Sequence, residues 1–426
     1  MIEADLAVVG ISELATPEGR SARLGADLNR LRTIRDAAVG CRDGRIAFVG
    51  TEHDFHQAVA LTPNARTVDA RGATMLPGFV DAHTHLPFAG WRESEFNERL
   101  QGATYSQIAA RGGGILSTVA ATRAATLSDL AALTRARLDA MLLLGTTLAE
   151  AKSGYGLSTE AELKQLEAVR SGSAGHPVEV VPTFLGAHTV PKERREDRAR
   201  YLDEIVNEML PEIARKKLAR YADAFVDAHA FTPVEARRVL TAAATAGLGV
   251  RLHADQLADD GSAVLAAQLG AASADHLEHV SPAGIEALAS AGTAAVLLPA
   301  ATFFLMQSVK PPARRLIEAG VPVAIATDFN PGTSPTEAMG AVLEFACLIL
   351  GMSIDEAIAA ATLNAAYALG RAAETGSIEV GKRADLVLHA VPNRYHLVYR
   401  FGVRRVTTVI AGGRVVVENG VRQPSA

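Results

Sequence analysis

Cysteine is almost absent from this 426-residue chain: Cys41 and Cys347 stand far apart and outside any CxxC arrangement. That excludes a disulfide framework and a thiolate-rich zinc site. No apolar run approaches the ~20 residues a membrane helix needs. The N-terminal MIEADLAVVG lacks the charged start and long apolar stretch of a signal peptide. A cytoplasmic protein with no membrane partner is therefore expected. Basic tracts are missing too: 42 Lys and Arg intermix with 47 Asp and Glu for a net charge of −5, which argues against nucleic acid as a partner. No GxGxxG follows the first strand-like run, which weighs against an open dinucleotide-binding sheet.

What the chain has is apolar mass and alternation. Hydrophobic residues make up 49% of it, enough for a large core, and the length allows roughly two or three domains. Between about residues 75 and 375, eight strand-like runs end near MLPGFVDA, GTTLAEA, VEVVPTFLGA, ADAFVDA, LGVRL, AASADH, TAAVLLPA and VPVAIATD. Helical segments such as LSDLAALTRARLDAMLLL, TEAELKQLEAVR and TPVEARRVLTAAATA separate them. Strand–helix alternation implies parallel strands with helical crossovers, and eight units fit a closed TIM-like (β/α)8 barrel. The two ends, with DGRIAFVG, GKRADLVLHA and VRRVTTVIAGGRVVVENG, read as short strands and glycine turns. The expectation is an α/β chain: a barrel over 71–378, and a small β-sandwich domain built from 1–70 and 379–426.

PGFVDAHTH places His83 and His85 two residues apart at the end of an apolar strand. Alternate strand residues share a face, so both imidazoles point one way and supply half a divalent metal site. Alone, HxH is weak evidence. Downstream, His253 in LHADQ ends strand five, His276 in SADHLEH ends strand six, and Asp328 in IATDFNPG ends strand eight. In a closed barrel these ends ring one mouth. Three imidazoles and a carboxylate suit one zinc or ferrous ion, and such an ion lowers the pKa of bound water to about 7.

With this ligand pattern the chain resembles the amidohydrolase superfamily. Many binuclear members carry a carboxylated lysine after strand four; here FVDAHAF offers Asp227 and His229 instead, and Lys152 follows strand two. One ion per subunit is expected, with His229 structural or supporting the ligands rather than a stray ligand itself. The run WRESEFNERLQGATYSQIAARGGGILSTVAATRAA, with EAKSGYGLS, FLGAHTVP, LHADQ, SADHLEH, AVLLPA and TDFNPGTSP, is similar to the imidazolonepropionases across nearly the whole barrel. That resemblance implies hydrolysis of the cyclic amide of 4-imidazolone-5-propanoate to N-formimino-L-glutamate in histidine degradation. It also implies a homodimer.

The resemblance implies roles for particular residues. Arg92 would clamp the substrate carboxylate with parallel hydrogen bonds, and Tyr155 would contact the imidazolone ring. His188 would be another ring contact or an electrophile on the carbonyl. Asn330, the Gly332 backbone and Thr333 offer further polar contacts within a Pro-Gly turn. Gln256 stands three residues after His253, where related deaminases often carry a proton-shuttling glutamate. An amide cannot act as acid or base, so Gln256 is expected to orient the substrate. Proton transfer then falls to His276 or Asp328, the two candidate catalytic residues. His279 is expected on the start of the next helix in a packing or surface role; His53, His56, His176, His389 and His396 read as structural, and Gly112 to Gly114 as a closing loop or a tight connection. The rivals are an aminoheterocycle deaminase of the guanine type, which Gln256 opposes, and a non-catalytic scaffold, which the complete ligand set opposes.

Overall fold

A computed structural model of the chain describes residues 1–103, 107, 112–228 and 230–424. His229 lies outside these described residues.

Eight parallel strands form one sheet in sequence order: β6 (Phe79–Asp81), β7 (Thr146–Lys152), β8 (Glu179–Ala187), β9 (Tyr221–Phe225), β10 (Gly249–Ala254), β11 (Ser273–His276), β12 (Ala294–Leu297) and β13 (Val323–Ile325). The sheet closes where extended backbone past β6 meets that past β13. Thr84 bridges Phe329, and Asp328 N and His85 N donate to His83 O and Phe329 O. The buried Asp81 carboxylate strengthens this seam by accepting from Thr327 N at 3.0 Å and Thr327 Oγ1 at 2.6 Å. The helical segments read from the sequence form crossovers at Leu127–Leu143, Thr159–Ser173 and Pro233–Thr245. Two of them begin with reciprocal caps, Thr126 with Asp129 and Thr232 with Glu235, each satisfying orphan N–H groups of the first turn.

Both chain ends share a second, nine-stranded sheet. From the N-terminal side come β1 (Ile2–Thr16), β2 (Arg32–Arg42), β3 (Arg45–Thr51), β4 (Val59–Asp69) and β5 (Thr74–Pro77). From the C-terminal side come β14 (Leu386–His389), β15 (Val406–Ala411), β16 (Arg414–Glu418) and β17 (Val421–Arg422). The sheet folds over so that Leu6, Val8, Ile11 and Val39 share a core with Met75, Leu386, Leu388 and Ile410. The opposite face of β14 and β15, through Val387 and Val409, joins the main barrel core.

Two local readings are corrected. MLPGFVDA is not one strand: Thr74–Pro77 pairs with β14 and β1 in the terminal sheet, and only Phe79–Asp81 enters the barrel. Gly78 makes the change of sheet, and a β-carbon there would fall 2.2 Å from Thr147 Oγ1. His279 lies in the turn before the helix Pro282–Ala291 rather than on that helix. Among the described residues no helix is long and apolar enough to cross a membrane.

Candidate metal centre

The strand ends bring together the five residues singled out as ligands and bases. His83 and His85 follow β6, His253 is the penultimate residue of β10, His276 closes β11, and Asp328 follows β13. All five are buried. Ligand-type atoms of His83, His85 and His253 lie within 4.8 Å of one another, as do those of His83, His276 and Asp328. Asp328 Oδ1 is 3.5 Å from both His83 Nε2 and His85 Nε2. His276 and Asp328 hold left-handed backbone, with φ of 78° and 54°. Such strain in non-glycine residues is sustained where surrounding structure fixes the side chain for function.

Buried polar atoms ordinarily find partners. Here His83 Nε2, His85 Nδ1, both ring nitrogens of His253 and His276 Nδ1 find no hydrogen-bond partner among the described residues. Convergent imidazole lone pairs beside a carboxylate are the donor set that zinc or iron takes, so the residues fit a divalent ion. Metal ligands must be deprotonated. Burial, followed by the nearby Lys152 ammonium, holds His83 well below the usual imidazole range; burial and then His253 do so for His85. Burial lowers His276 to about 4. Burial also raises Asp328 against the pull of His276 and His253.

Sequence reasoning missed the layer that holds these ligands. His83 Nδ1 is 2.7 Å from Asp275 Oδ2, and His253 Nδ1 is 3.1 Å from Asp223 Oδ2. A carboxylate hydrogen bond of the first kind fixes the tautomer and ring orientation of a ligand histidine, while Asp223 lies beside His253 as a close charge contact. Arg251 donates to Ala82 O at 2.8 Å, pinning the backbone just before His83. The available signal was charge inside strands: Glu150 and Lys152 alternate on β7, and Arg251 precedes His253 by two on β10. Glu278 was also missed. It is buried, accepts from Thr302 Oγ1 at 3.2 Å, and lies 4.0 Å from His276 Nδ1. Burial pushes its carboxyl up to about 8.

The substrate candidates line the same mouth. Tyr155 sits with its ring centre 5.8 Å from His85 and 5.3 Å from His188, and His188 stacks on His85 at 5.3 Å. Buried Glu162 shapes the SGYG loop by accepting from Gly154 N, Gly156 N and Leu157 N. Gly154, at φ 108°, has no room for a β-carbon, which would come 2.9 Å from His188 Nδ1. His188 Nδ1 lies 3.0 Å from Gly154 O, so Nδ1 carries the hydrogen and Nε2 is left as an acceptor. Burial keeps this imidazole well below its usual range. The geometry thus favours a ring contact over an electrophile.

Arg92 stands just before the helix Glu93–Leu100, donates from Nε to Glu95 at 2.8 Å, and rests its guanidinium on Gly332. Glu95 also accepts from Gly114 N and Ser117 Oγ, tying Arg92 to the end of the triple-glycine run. Gln256 lies half-buried in the bend past β10. The Asn330 amide is engaged inside its own loop, donating to Asp328 O and Thr333 Oγ1 and accepting from Gly332 N and Thr333 N. Its side chain therefore shapes the turn, while Thr333 Oγ1 reaches Asp328 Oδ2 at 3.4 Å. Lys152 is buried among carboxylates, and His176 pairs with Asp139 at 2.9 Å, away from the mouth.

Comparison with known proteins agrees with this geometry. Residues 74–416 match the model of the amidohydrolase family. The imidazolonepropionase of Symbiobacterium thermophilum is 50% identical over 98% of this chain and 98% of its own. That of Brevibacillus brevis is 47% identical over 96% of this chain and 97% of its own. Among solved structures, a zinc-bound adenosine deaminase from Xanthomonas campestris superposes with a TM-score of 0.74 at 21% identity, covering 99% of this chain and 95% of its own. The zinc complex of atrazine chlorohydrolase from Arthrobacter aurescens gives 0.70 at 18% identity, covering 98% and 96%. At this identity the solved structures share the fold, whereas the sequence relatives match at 47–50% identity over nearly the whole chain. The chain belongs to the imidazolonepropionases of the amidohydrolase family.

Proposed function

We propose that this chain hydrolyses the ring amide of 4-imidazolone-5-propanoate to N-formimino-L-glutamate, using one divalent ion per subunit. Family membership supports the reaction class. The observation that carries the substrate is Arg92, a cation laid over Gly332 at the mouth beside Tyr155, where a propionate carboxylate would be clamped. The ion would be zinc or iron, held by His83, His85, His253 and Asp328. Its chemistry would be Lewis-acid activation of water and of the ring carbonyl.

The chain's own residues perform the rest. Arg92 binds the carboxylate, Tyr155 and His188 bracket the ring, and His188 Nε2 accepts from a ring N–H. Gln256 donates and accepts at the ring edge without exchanging protons. Gly332 and Thr333 close the far side, held in shape by Asn330. Either His276 or Asp328 takes the proton from water, and that proton is delivered to the ring nitrogen as its bond to carbon breaks. His276 is neutral at pH 7 and so able to accept, with Glu278 behind its Nδ1. The same reading gives a homodimer in the cytoplasm, where Cys41 and Cys347 stay as free thiols. It divides the chain into a terminal sheet, 1–70 with 379–426, and a barrel, 71–378; membership of β5 in the terminal sheet favours moving the first boundary to Gly78.

The test is product analysis. Freshly generated imidazolonepropionate should lose its ultraviolet absorbance and give formiminoglutamate without ammonia, and Asp328→Ala should abolish this. Release of ammonia from guanine-type heterocycles, with imidazolonepropionate untouched, would instead favour a deaminase.

A further inference from the structure

One layer below the histidines, five charged side chains meet inside the barrel, all buried: Glu150 and Lys152 from β7, Asp223 from β9, Arg251 from β10 and Asp275 from β11. Burying ions costs several kcal/mol each unless every one is paired, so such a layer needs a reason. Two oxygen atoms supply it. Asp223 Oδ2 lies 2.7 Å from Lys152 Nζ and 3.1 Å from His253 Nδ1. Asp275 Oδ2 lies 3.6 Å from Lys152 Nζ and 2.7 Å from His83 Nδ1. Each oxygen stands between one ammonium and one ligand histidine. Arg251 approaches Asp275 at 3.5 Å and Glu150 at 3.0 Å, but the contact found with both histidine-bearing carboxylates is that of Lys152.

We propose that Lys152 is a positioning residue: by holding Asp223 Oδ2 and Asp275 Oδ2 it fixes the rings of His253 and His83, so retention of the ion depends on an ammonium that is not itself a ligand. Without Lys152, Asp223 Oδ2 keeps only its 3.1 Å contact with His253 and Asp275 keeps Arg251 at 3.5 Å as its one cation, so the carboxylates beside both histidines are less firmly fixed, Asp223 the more so. Partners of this kind typically change metal affinity by about 10- to 100-fold. The inference rests on the metal-centre reading and is independent of which ring is hydrolysed.

Lys152→Met removes the ammonium while keeping a chain of similar length. The probes are the rate at which a chelator strips zinc from the loaded protein and the visible spectrum of the cobalt-substituted form. Zinc loss should accelerate at least ~10-fold, and the cobalt bands should shift. Thr183→Val is the control for general loosening. Thr183 Oγ1 donates to Glu150 at 2.6 Å in the same layer, yet its loss leaves both ties to Lys152 in place. It should keep native zinc retention and spectrum. Should Lys152→Met fail to fold, Glu150→Gln with Lys152→Met removes one carboxylate together with the ammonium and carries the same test. Native zinc retention and spectrum in a folded variant overturn the proposal. So does an equal change in Thr183→Val, or failure of both lysine variants to fold, which would make the role structural. Wild-type protein that cannot hold zinc contradicts the metal centre itself, a result readable before any variant is made.

Discussion

Arg92 occupies the place of a missing side chain: a β-carbon on Gly332 would fall 2.1 Å from Arg92 Nη1 and 2.8 Å from its Cζ. The guanidinium must move if that carbon is added, while the metal ligands stay put. Gly332→Ala should therefore raise KM for imidazolonepropionate by about 10-fold or more, on the scale of one misplaced charged hydrogen bond, with a smaller fall in kcat. Steady-state kinetics on the metal-loaded variant checks this; an unchanged KM would remove Arg92 from carboxylate binding. Residues of this kind divide by how their signal is carried. His83, His85, His253, His276 and Asp328 were legible because each closes a short apolar run. Glu162 was not, although three backbone N–H groups depend on it; its partners lie in a glycine-rich loop whose need for an acceptor shows only once folded. Asp223 and Asp275 were hidden for the same reason, as their partners come from other strands.

At the scale of elements, the alternation of strands and helices gave the barrel, and reciprocal caps such as Thr232 with Glu235 match the helix starts. What periodicity could not reveal is a strand that changes sheets. MLPGFVDA is apolar up to Asp81 because both halves are buried, β5 against β14 and β6 against β7. The break falls at Gly78, pressed on Thr147. A β-carbon there would meet Thr147 Oγ1 at 2.2 Å and Cγ2 at 2.6 Å. Gly78→Ala should destabilise the protein by about 1–3 kcal/mol, the usual cost of overpacking, read as a lower denaturation midpoint. Thr147→Ala should recover part of that loss, since it removes the two nearest of the three clashing atoms, leaving Cβ at 2.9 Å, and Thr147 Oγ1 has no partner among the described residues. Additive effects of the two substitutions would show that this contact is not what requires glycine.

The whole molecule joins these scales. A sheet made from both chain ends packs against the barrel, and the barrel's closing seam, Asp81 to Thr327 and Thr84 to Phe329, is also where the first and last ligands meet. Closing the barrel therefore brings ligands from its first and last strands together, since His83 and Asp328 lie side by side where β6 and β13 adjoin. The likeness of loops around the mouth was readable in sequence because those loops are contiguous; the buried charge layer was not, because it draws on four strands. The most direct test of this account is to strip the protein of metal and titrate zinc or ferrous iron back while following hydrolysis of imidazolonepropionate. Activity should be absent from the stripped protein, rise linearly and stop at one equivalent per chain. Turnover without metal, or a rise that continues to two equivalents, would contradict a single centre built from His83, His85, His253 and Asp328.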